Sequence, residues 1–379
     1  MLGSVASGSA RPPPPARGPS AKAILLQGLA LLAVVAACAW AGHNAAGNLA
    51  RRNIDVDFSF LLNPAGFDIP FHLAAWSTAN SYGRALLVSG LNTVLASALA
   101  IMLATALGLV LALMRLAVNP LASWTARALV ELVRNTPQLL QIVFWYIAVL
   151  QVLPSPRDSA SLGGAVFLNV RGLFMPAPLS PGFGWLLAAG LAAAVLLPRA
   201  LPRLPLLLTA LGPLALAAVT AVATSGWEWP ALRGFNFTGG WRLPPELLAL
   251  CAGIGIYTAA FISENIRASI SAVGHGQREA ARSLGLSAAR TMRLVVLPQA
   301  LRTLIPPMTS HYLNIIKSTT LGAAIAYPEI LQIFARTVLN QSGRAVEVMS
   351  LVLGVFLAVN LAVSALMSRW DRRLALQSR

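Results

Sequence analysis

Over residues 85–114 the chain carries no charged side chain. About 20 apolar residues suffice for a helix to cross the ~30 Å hydrocarbon core of a bilayer. Lipid offers the backbone no hydrogen-bond partner, so a run of this kind must satisfy its own N–H and C=O groups, which an α-helix does. Eight segments of the chain qualify: 23–43, 85–114, 125–153, 183–198, 204–224, 247–268, 304–327 and 346–368. The fold class this predicts is an all-α polytopic membrane protein with about eight transmembrane helices. The fourth and fifth segments carry the weakest signal, because "PRALPRLP" leaves a very short turn between them and Pro213 lies inside the fifth.

The composition agrees, with 57% hydrophobic residues, 11% charged residues and a mean hydropathy of +0.70, outside the range of soluble domains. A net charge of +16 would suit a nucleic-acid binder, but the arginines are scattered between apolar runs and form no single basic face, so no nucleic-acid partner is expected. Basic residues in short loops resist translocation. With the N-terminus inside, the arginines around 115–134, 267–302 and 369–379 fall on the cytoplasmic side, and about half as many arginines fall outside. Both termini are therefore expected in the cytoplasm. The outer loops carry Trp and Phe, as in "FSFLLNPAGFDIPFHLAAW" and "WEWPALRGFNFTGGW", suited to an interface that is apolar on one side and wet on the other. Residues 1–22 are rich in Pro, Ser, Ala and Gly, have no carboxylate, and read as a disordered cytosolic tail. Cys38 and Cys251 both sit in apolar runs and read as small hydrophobes.

One stretch does not belong in lipid. "EAARSLGLSAARTMRLVVLP", residues 279–298, is charged and half-amphipathic, within the largest cytoplasmic loop at 274–302. A short helix over 277–284 places Glu279 near its positive end, with Arg282 as an i,i+3 partner. Gly285 suits the left-handed residue that closes a helix. Ser287 then caps a second helix, with Leu284, Ala288, Met292 and Val295 or Val296 along one side, Arg290 and Arg293 on the other, and Pro298 ending it. Such an elbow suits docking into another protein's groove, with Ala280 and Ala281 permitting close approach. The residues alone equally allow an amphipathic hairpin lying on the inner leaflet.

Glu279-Ala280-Ala281, three residues, Gly285, nine residues, Val295, one residue and Leu297-Pro298 resemble the EAA loop of ATP-binding-cassette importer permeases, with Val295 where Ile is usual. "SENIRASISAVGHGQREAARSLGLS", "NIIKSTTLGAAIAYPEIL" and "ELVRNTPQLLQIVFWY" are similar to the polar amino acid branch, the HisM/HisQ-like permeases, and above all to the larger permease subunits of general L-amino acid importers. The resemblance implies a multi-pass protein of the bacterial inner membrane with a type I permease core of five helices. It implies a homologous permease as heterodimeric partner, two cytosolic ATPase subunits that bind ATP and Mg, a periplasmic amino acid-binding protein, and an L-amino acid as substrate. It makes Glu279, Ala280, Ala281, Gly285, Leu297 and Pro298 the ATPase-coupling residues. The core is assigned to 85–153 and 246–379. The departures from the minimal pattern are an extra N-terminal helix at 23–43 followed by a periplasmic loop at 44–84, and an insertion at 154–245 holding two candidate transmembrane helices.

The chain has no G-x-x-x-x-G-K-[ST] loop, and Lys317-Ser318-Thr319 lacks the glycines that cradle phosphates. Its four histidines, His43, His72, His275 and His311, form no metal spacing, and no nucleophile motif appears. No catalytic residue, metal or cofactor is therefore expected in this chain, and ATP hydrolysis falls to partner subunits. Transport sites form where helices break and polar groups face a cavity. Asn135, Thr136, Gln138 and Gln141 mark one break, with Thr136 a candidate cap for the half beginning at Pro137. Alternatively this is a kink glued to a neighbour by glutamine hydrogen bonds. Asn314, Lys317, Ser318 and Thr319 mark a second, where Lys317 asks for a partner or snorkels. Glu264, Asn265 and Arg267 suggest a structural ion pair. A self-contained secondary transporter or channel would call for intramembrane acidic relays, and apart from Glu264 no carboxylate falls well inside an expected span. A non-transporting scaffold would explain the elbow but not the polar breaks.

Overall fold

The computed structural model describes residues 21–51, 56–180, 182–200 and 206–376. The tail expected at 1–22 lies, apart from its last two residues, outside them, as does the turn at 201–205. The chain divides into two units at Asp57. The first holds α1 (Ala21–Arg51), whose segment Ile24–Asn44 is long and apolar enough to cross a membrane.

In the second unit, α2 (Tyr82–Leu116) covers the second expected span and begins at Ser81, whose hydroxyl accepts from the Arg84 N–H at 3.4 Å. The third expected span, 125–153, is two helices. Asn119 caps α3 (Pro120–Arg134), accepting from the Leu121 N–H, and Pro120 occupies the first turn, where its missing N–H costs nothing. The ladder then breaks at 135–137, because Pro137 disfavours helical geometry in the residue before it, and α4 (Gln138–Leu150) follows with a π-helical second half. The insertion contains α5 (Gly182–Ala200) and α6 (Leu206–Thr224), packed on each other at the two segments expected to be helical. It also contains eight short strands. Ala160–Leu162, Val166–Asn169, Gly172–Met175 and Trp241–Leu243 form one antiparallel sheet, in which Leu173 pairs with Leu243, and two-stranded ribbons flank it. Phe237 stacks between Phe167 and Phe174, with centroids 4.6 and 5.1 Å away.

The remaining helices are α7 (Pro245–Ser271), α8 (His275–Ser283), α9 (Ala288–Thr291), α10 (Leu297–Ser318), α11 (Leu339–Ser342) and α12 (Ala345–Leu376). Among the described residues, four helices meet the length and hydropathy of a span: Ile24–Asn44, Tyr82–Leu116, Pro245–Ser271 and Ala345–Asp371. The segment expected as one span at 304–327 instead leaves α10 at Ser318, passes through a 3-10 stretch (Thr319–Ile325), places Ala326 at φ 58°, and re-enters a π-helix (Leu331–Val338) after Pro328.

Lipid tails are as apolar as leucine, so burying leucine does little to join these helices; close packing and polar contacts do more. On α2 the buried stripe is mostly small or hydroxylic, with Ala85, Ser89, Thr93, Ala96 and Ala100 joined by Val88 and Asn92, recurring every three or four residues on one face. The Ser89, Thr93 and Ser97 hydroxyls bond carbonyls one turn back, so they add no unsatisfied donors. The stripe lets α7 approach until Ile262 nests at Gly108, where an added Cβ would lie 2.6 Å from Ile262 Cγ2. Ile142 of α4 seats against Gly253 so closely that a Cβ there would fall 2.5 Å from its Cγ1 and 2.8 Å from its Cα. Buried Cys251 is a free thiol within this core.

A second apolar cluster joins the loop before α2 to the re-entrant segment, with Phe60 and Ile69 among Ile330, Phe334 and Val352. Beside it, the fully buried Asn92 donates its amide to the carbonyls of Phe71 and Pro328 at 2.8 and 2.9 Å, and Tyr327 donates to the Asn92 carbonyl. Glu329 is also fully buried, a carboxylate beyond those expected inside the apolar core. Its two oxygens accept the backbone N–H groups of Leu331 and Gln332 that open the π-helix. Glu347, at 2% exposure in the first turn of α12, is another.

Candidate functional site

The loop between α7 and α10 folds as an elbow. After α7, Val273 packs with Val296 and Ala300, and the Arg278 guanidinium donates to the Ile270 carbonyl, fixing α8 to the end of α7. Helix α8 closes through two bonds: the Leu286 N–H reaches the Ala281 carbonyl at 3.2 Å, and the Gly285 N–H reaches Arg282 at 2.9 Å. This Schellman closure puts Gly285 at φ 76°, where an L side chain is strained. Ser287 caps α9, accepting from the Arg290 N–H.

Ala281 is buried, whereas Glu279, Ala280 and Arg282 face outward and Leu284 is 82% exposed. Arg282, expected as the i,i+3 partner of Glu279, makes no ion pair with it: both side chains are exposed, and in solvent such a pair gains too little to hold two long side chains in one geometry. The apolar side anticipated for the second helix is only partly covered: Val296 is buried and Val295 half-buried, but Leu284, Ala288 and Met292 are exposed. Pro298 does not end that helix. A π-turn over Met292–Val296, closed by the Leu297 N–H on the Met292 carbonyl, carries the chain straight into α10. Pro298 falls in the first turn of α10, where a missing donor is tolerated.

The second region is a cavity of about 560 Å³ among α4, α7 and α10. Helix α10 contributes His311, Asn314, Lys317 and Ser318; Thr320 and Leu321 follow from the 3-10 stretch. Gln138 enters from α4, and its side-chain oxygen accepts from the Ser318 hydroxyl at 3.2 Å, bridging the two polar breaks. Tyr257, Thr258 and Phe261 complete the wall from α7. Tyr257, which the sequence leaves open between lipid and a helix neighbour, faces the cavity; Phe261, Thr258 and His311 were not identified as lining residues, and only the i,i+3 and i,i+4 spacing of Thr258 and Tyr257 to Phe261 marks a shared face. Phe261 touches the Tyr257 and His311 rings, and the Arg134 guanidinium lies over its own ring, 5.0 Å from the centroid. Asn265 Nδ2 stands 2.6 Å from His311 Nε2.

Other candidate positions turn elsewhere. Asn135 terminates α3, its N–H on the Glu131 carbonyl. Thr136 caps no helix: its hydroxyl donates to Val133, and Gln141 Nε2 bonds both the Thr136 hydroxyl at 2.7 Å and the Val133 carbonyl at 3.0 Å. These three residues tie the α3–α4 joint together. Thr319 is buried and bonds the Ile316 carbonyl. Toward the C-terminal end of α7, Glu264 pairs with both Arg115 of α2 and Arg267 of its own helix. No group of metal-ligating side chains occurs among the described residues.

Residues 104–376 match the family model described as "Binding-protein-dependent transport system inner membrane component". The chain is similar to the putative amino-acid ABC transporter permease protein YhdX of Escherichia coli (strain K12), at 45% identity across 95% of this chain and 96% of that one. It is similar to the general L-amino acid transport system permease protein AapQ of Rhizobium johnstonii, at 37% identity across 95% and 94%. A third relative, the glutamate/glutamine/aspartate/asparagine transport system permease protein BztB of Rhodobacter capsulatus, is 35% identical across 94% and 95%. Matches of that extent run through the strand-bearing insertion as well as the helices around the cavity. The chain thus belongs to the family of inner-membrane components of binding-protein-dependent transport systems.

Proposed function

We propose that this chain is the permease subunit of an ATP-driven importer of L-amino acids. The observation that carries the reading is the likeness, along nearly its whole length, to relatives named as amino-acid permeases. On this reading the chain crosses the inner membrane eight times with both termini inside, five of the helices form the permease core, and a homologous permease completes a heterodimer. Two cytosolic ATPases bind ATP and Mg, and a periplasmic binding protein delivers the substrate.

The elbow is the coupling element. Glu279, Ala280 and Ala281 place the docking face, Gly285 sets the turn, and Leu297 and Pro298 pass the motion into α10 without an intervening loop. Leu284, largely exposed here, enters a cleft of the ATPase. When ATP closes the ATPases the elbow is pulled, the permease pair opens outward to receive the amino acid, and hydrolysis returns it inward. The cavity is the chain's part of the passage, with Gln138, Asn314, Lys317 and Ser318 as its polar contacts. Asn135, Thr136, Gln141 and Thr319 hold the broken helices that shape it.

Affinity purification of the tagged chain from its native membrane, with mass spectrometry of the recovered proteins, tests this. An ATP-binding-cassette ATPase and a second permease are expected. Leu284→Asp, which puts a charge on an outward-facing residue, is expected to lose the ATPase and keep the permease. Recovery of the chain alone, under conditions that preserve a known complex, defeats the reading in favour of a self-contained transporter.

A further inference from the structure

The small sheet of the insertion is fastened where α4 ends and α7 begins. The Val170 N–H donates to the Pro154 carbonyl at 3.0 Å, tying the sheet to the chain that leaves α4. Gly172 is pressed against Leu243, whose carbonyl oxygen would lie 2.1 Å from an added Cβ, and Leu243 runs through Pro244 into α7. Helix α7 has 27 residues and is ~40 Å long, with the sheet at its start and the elbow beyond its end. A helix of that length puts sheet and elbow on opposite sides of a bilayer. Two aromatic groups occupy the sheet's surroundings. In the first, Phe183 at the start of α5 meets Trp227 and Trp241 edge-on, with centroids 6.0 and 6.3 Å away, and Trp185 stays exposed on the same turn. Indoles at the mouth of an apolar helical hairpin are the pattern of a lipid interface. The second lies at the tip of the ribbon formed by Ala231–Arg233 and Asn236–Thr238, which closes through the two-residue turn Gly234-Phe235. There the Phe235 ring is 72% exposed, with the Arg157 guanidinium 4.3 Å from its centroid.

A phenylalanine carried out on a turn leaves most of its ring unburied, and a cation stacked on it is held in place beforehand. Aromatic and arginine side chains fixed in this way are the types that anchor protein interfaces. The charge is also lopsided: the strand-bearing part of the insertion exposes Arg157, Arg171, Arg233 and Arg242 against Asp158 and Glu228, and Arg233 borders the same turn as Phe235. We propose that this part of the insertion is the docking platform for the importer's soluble binding protein, with Phe235, Arg157 and Arg233 at the contact and an acidic patch of that protein against them. The inference rests on the importer reading and goes further, giving the insertion a task. A protein fits the platform better than lipid for two reasons. The indoles around Phe183 already set the membrane level, and Phe235 and Arg157 are not among them. The platform is also joined to two helices that wall the cavity, so a load docked on it reaches α4 and α7 through the Pro154 and Leu243 contacts.

The experiment is binding of the fluorescently labelled binding protein, loaded with amino acid, to the complete complex in nanodiscs at several salt concentrations. The unaltered complex is expected to lose affinity as salt rises. Phe235→Ala and Arg157→Glu are each expected to weaken binding about tenfold, the second chiefly through slower association and with a flatter salt dependence. Neither residue lines the cavity, and both variants should melt like the parent. Should either melt lower, Arg233→Glu at the exposed edge of the turn decides in its place. A second readout separates protein from lipid. With Cys38 and Cys251 replaced by alanine, Ala231→Cys on the exposed ribbon should react with a water-soluble maleimide in the free complex and be protected by the binding protein. Affinity unchanged in the variants overturns the inference, and so does protection at position 231 without the binding protein, which would place the ribbon in lipid. ATP-driven uptake of radiolabelled amino acids by the unaltered complex separates the two levels: its absence refutes the importer reading, whereas uptake that depends on the binding protein equally in parent and variants refutes only the platform.

Discussion

Replacing Gly285 tests whether the elbow transmits force. The backbone stands at φ 76°, and a Cβ added there meets nothing within 4 Å, so the cost of a side chain is conformational and owes nothing to crowding. A left-handed residue other than glycine costs about 1–2 kcal/mol, asparagine tolerates the conformation best, and a β-branched residue is the least compatible. Since 1.4 kcal/mol is tenfold in an equilibrium, Gly285→Ala should reduce the population of the native elbow by about tenfold against competing loop conformations. The Leu286-to-Ala281 and Gly285-to-Arg282 bonds are lost when it opens. The assay is a proteoliposome containing the whole complex, in which ATP hydrolysis and uptake of radiolabelled amino acid are followed together, and the readout is uptake per ATP. The ratio should fall in the order Gly, Asn, Ala, Val, with Gly285→Val hydrolysing ATP while importing little. A Val variant present at the normal level with an unaltered ratio, or an Asn variant as impaired as Val, would refute the reasoning.

Two further perturbations bear on the membrane core. Gly253→Ala drives a methyl against the backbone of Ile142, which no rotamer change relieves, so a loss of about 1–3 kcal/mol is expected as a lower melting temperature in detergent. Gly90→Ala, with open space around it, should melt like the parent. Asn92→Ala strands the carbonyls of Phe71 and Pro328, for a loss of about 2–4 kcal/mol, smaller than two full bonds because the amide's own buried and unpartnered oxygen disappears with it. Equal melting of the Asn92→Ala variant and the parent protein would show that the re-entrant segment does not depend on this amide.

Hydropathy made the long helices legible, because α2 and α7 are single apolar runs whose ends are marked by Ser81 and by Pro244-Pro245. The elbow was legible for a different reason: each of its steps is local, from Gly285 to Ser287, and local chemistry is written in adjacent residues. Where the reading failed, distance along the chain was the cause. The sheet of the insertion pairs Leu173 with Leu243 through strands of three or four residues, too short to show alternation. Glu329 makes only local bonds, to the Leu331 and Gln332 N–H groups two and three residues on, but its full burial depends on the rest of the fold. Likewise Gln138 and Ser318 are separately visible as polar breaks, but their meeting depends on the helices that carry them both packing on α7. Pro298 misleads because a π-turn, which has no sequence signature of its own, lets a helix run on through it.

The seats at Gly108 and Gly253 have a mechanical corollary. Ile262 and Ile142 are lodged against backbone with no slack, so sliding α2 or α4 along α7 would drive side chains into main chain. Those two seats are therefore the stiff points of the chain. Compliance is left to the stretches where the α-helical ladder is already interrupted: Phe144–Leu150 at the end of α4, Met292–Val296 before α10, Thr319–Ile325 after it, and Leu331–Val338 beyond. The last three lie on the single stretch of chain that begins at the elbow, so a displacement there meets its first soft joint immediately before α10 and the next at the cavity, where Thr320 and Leu321 line it.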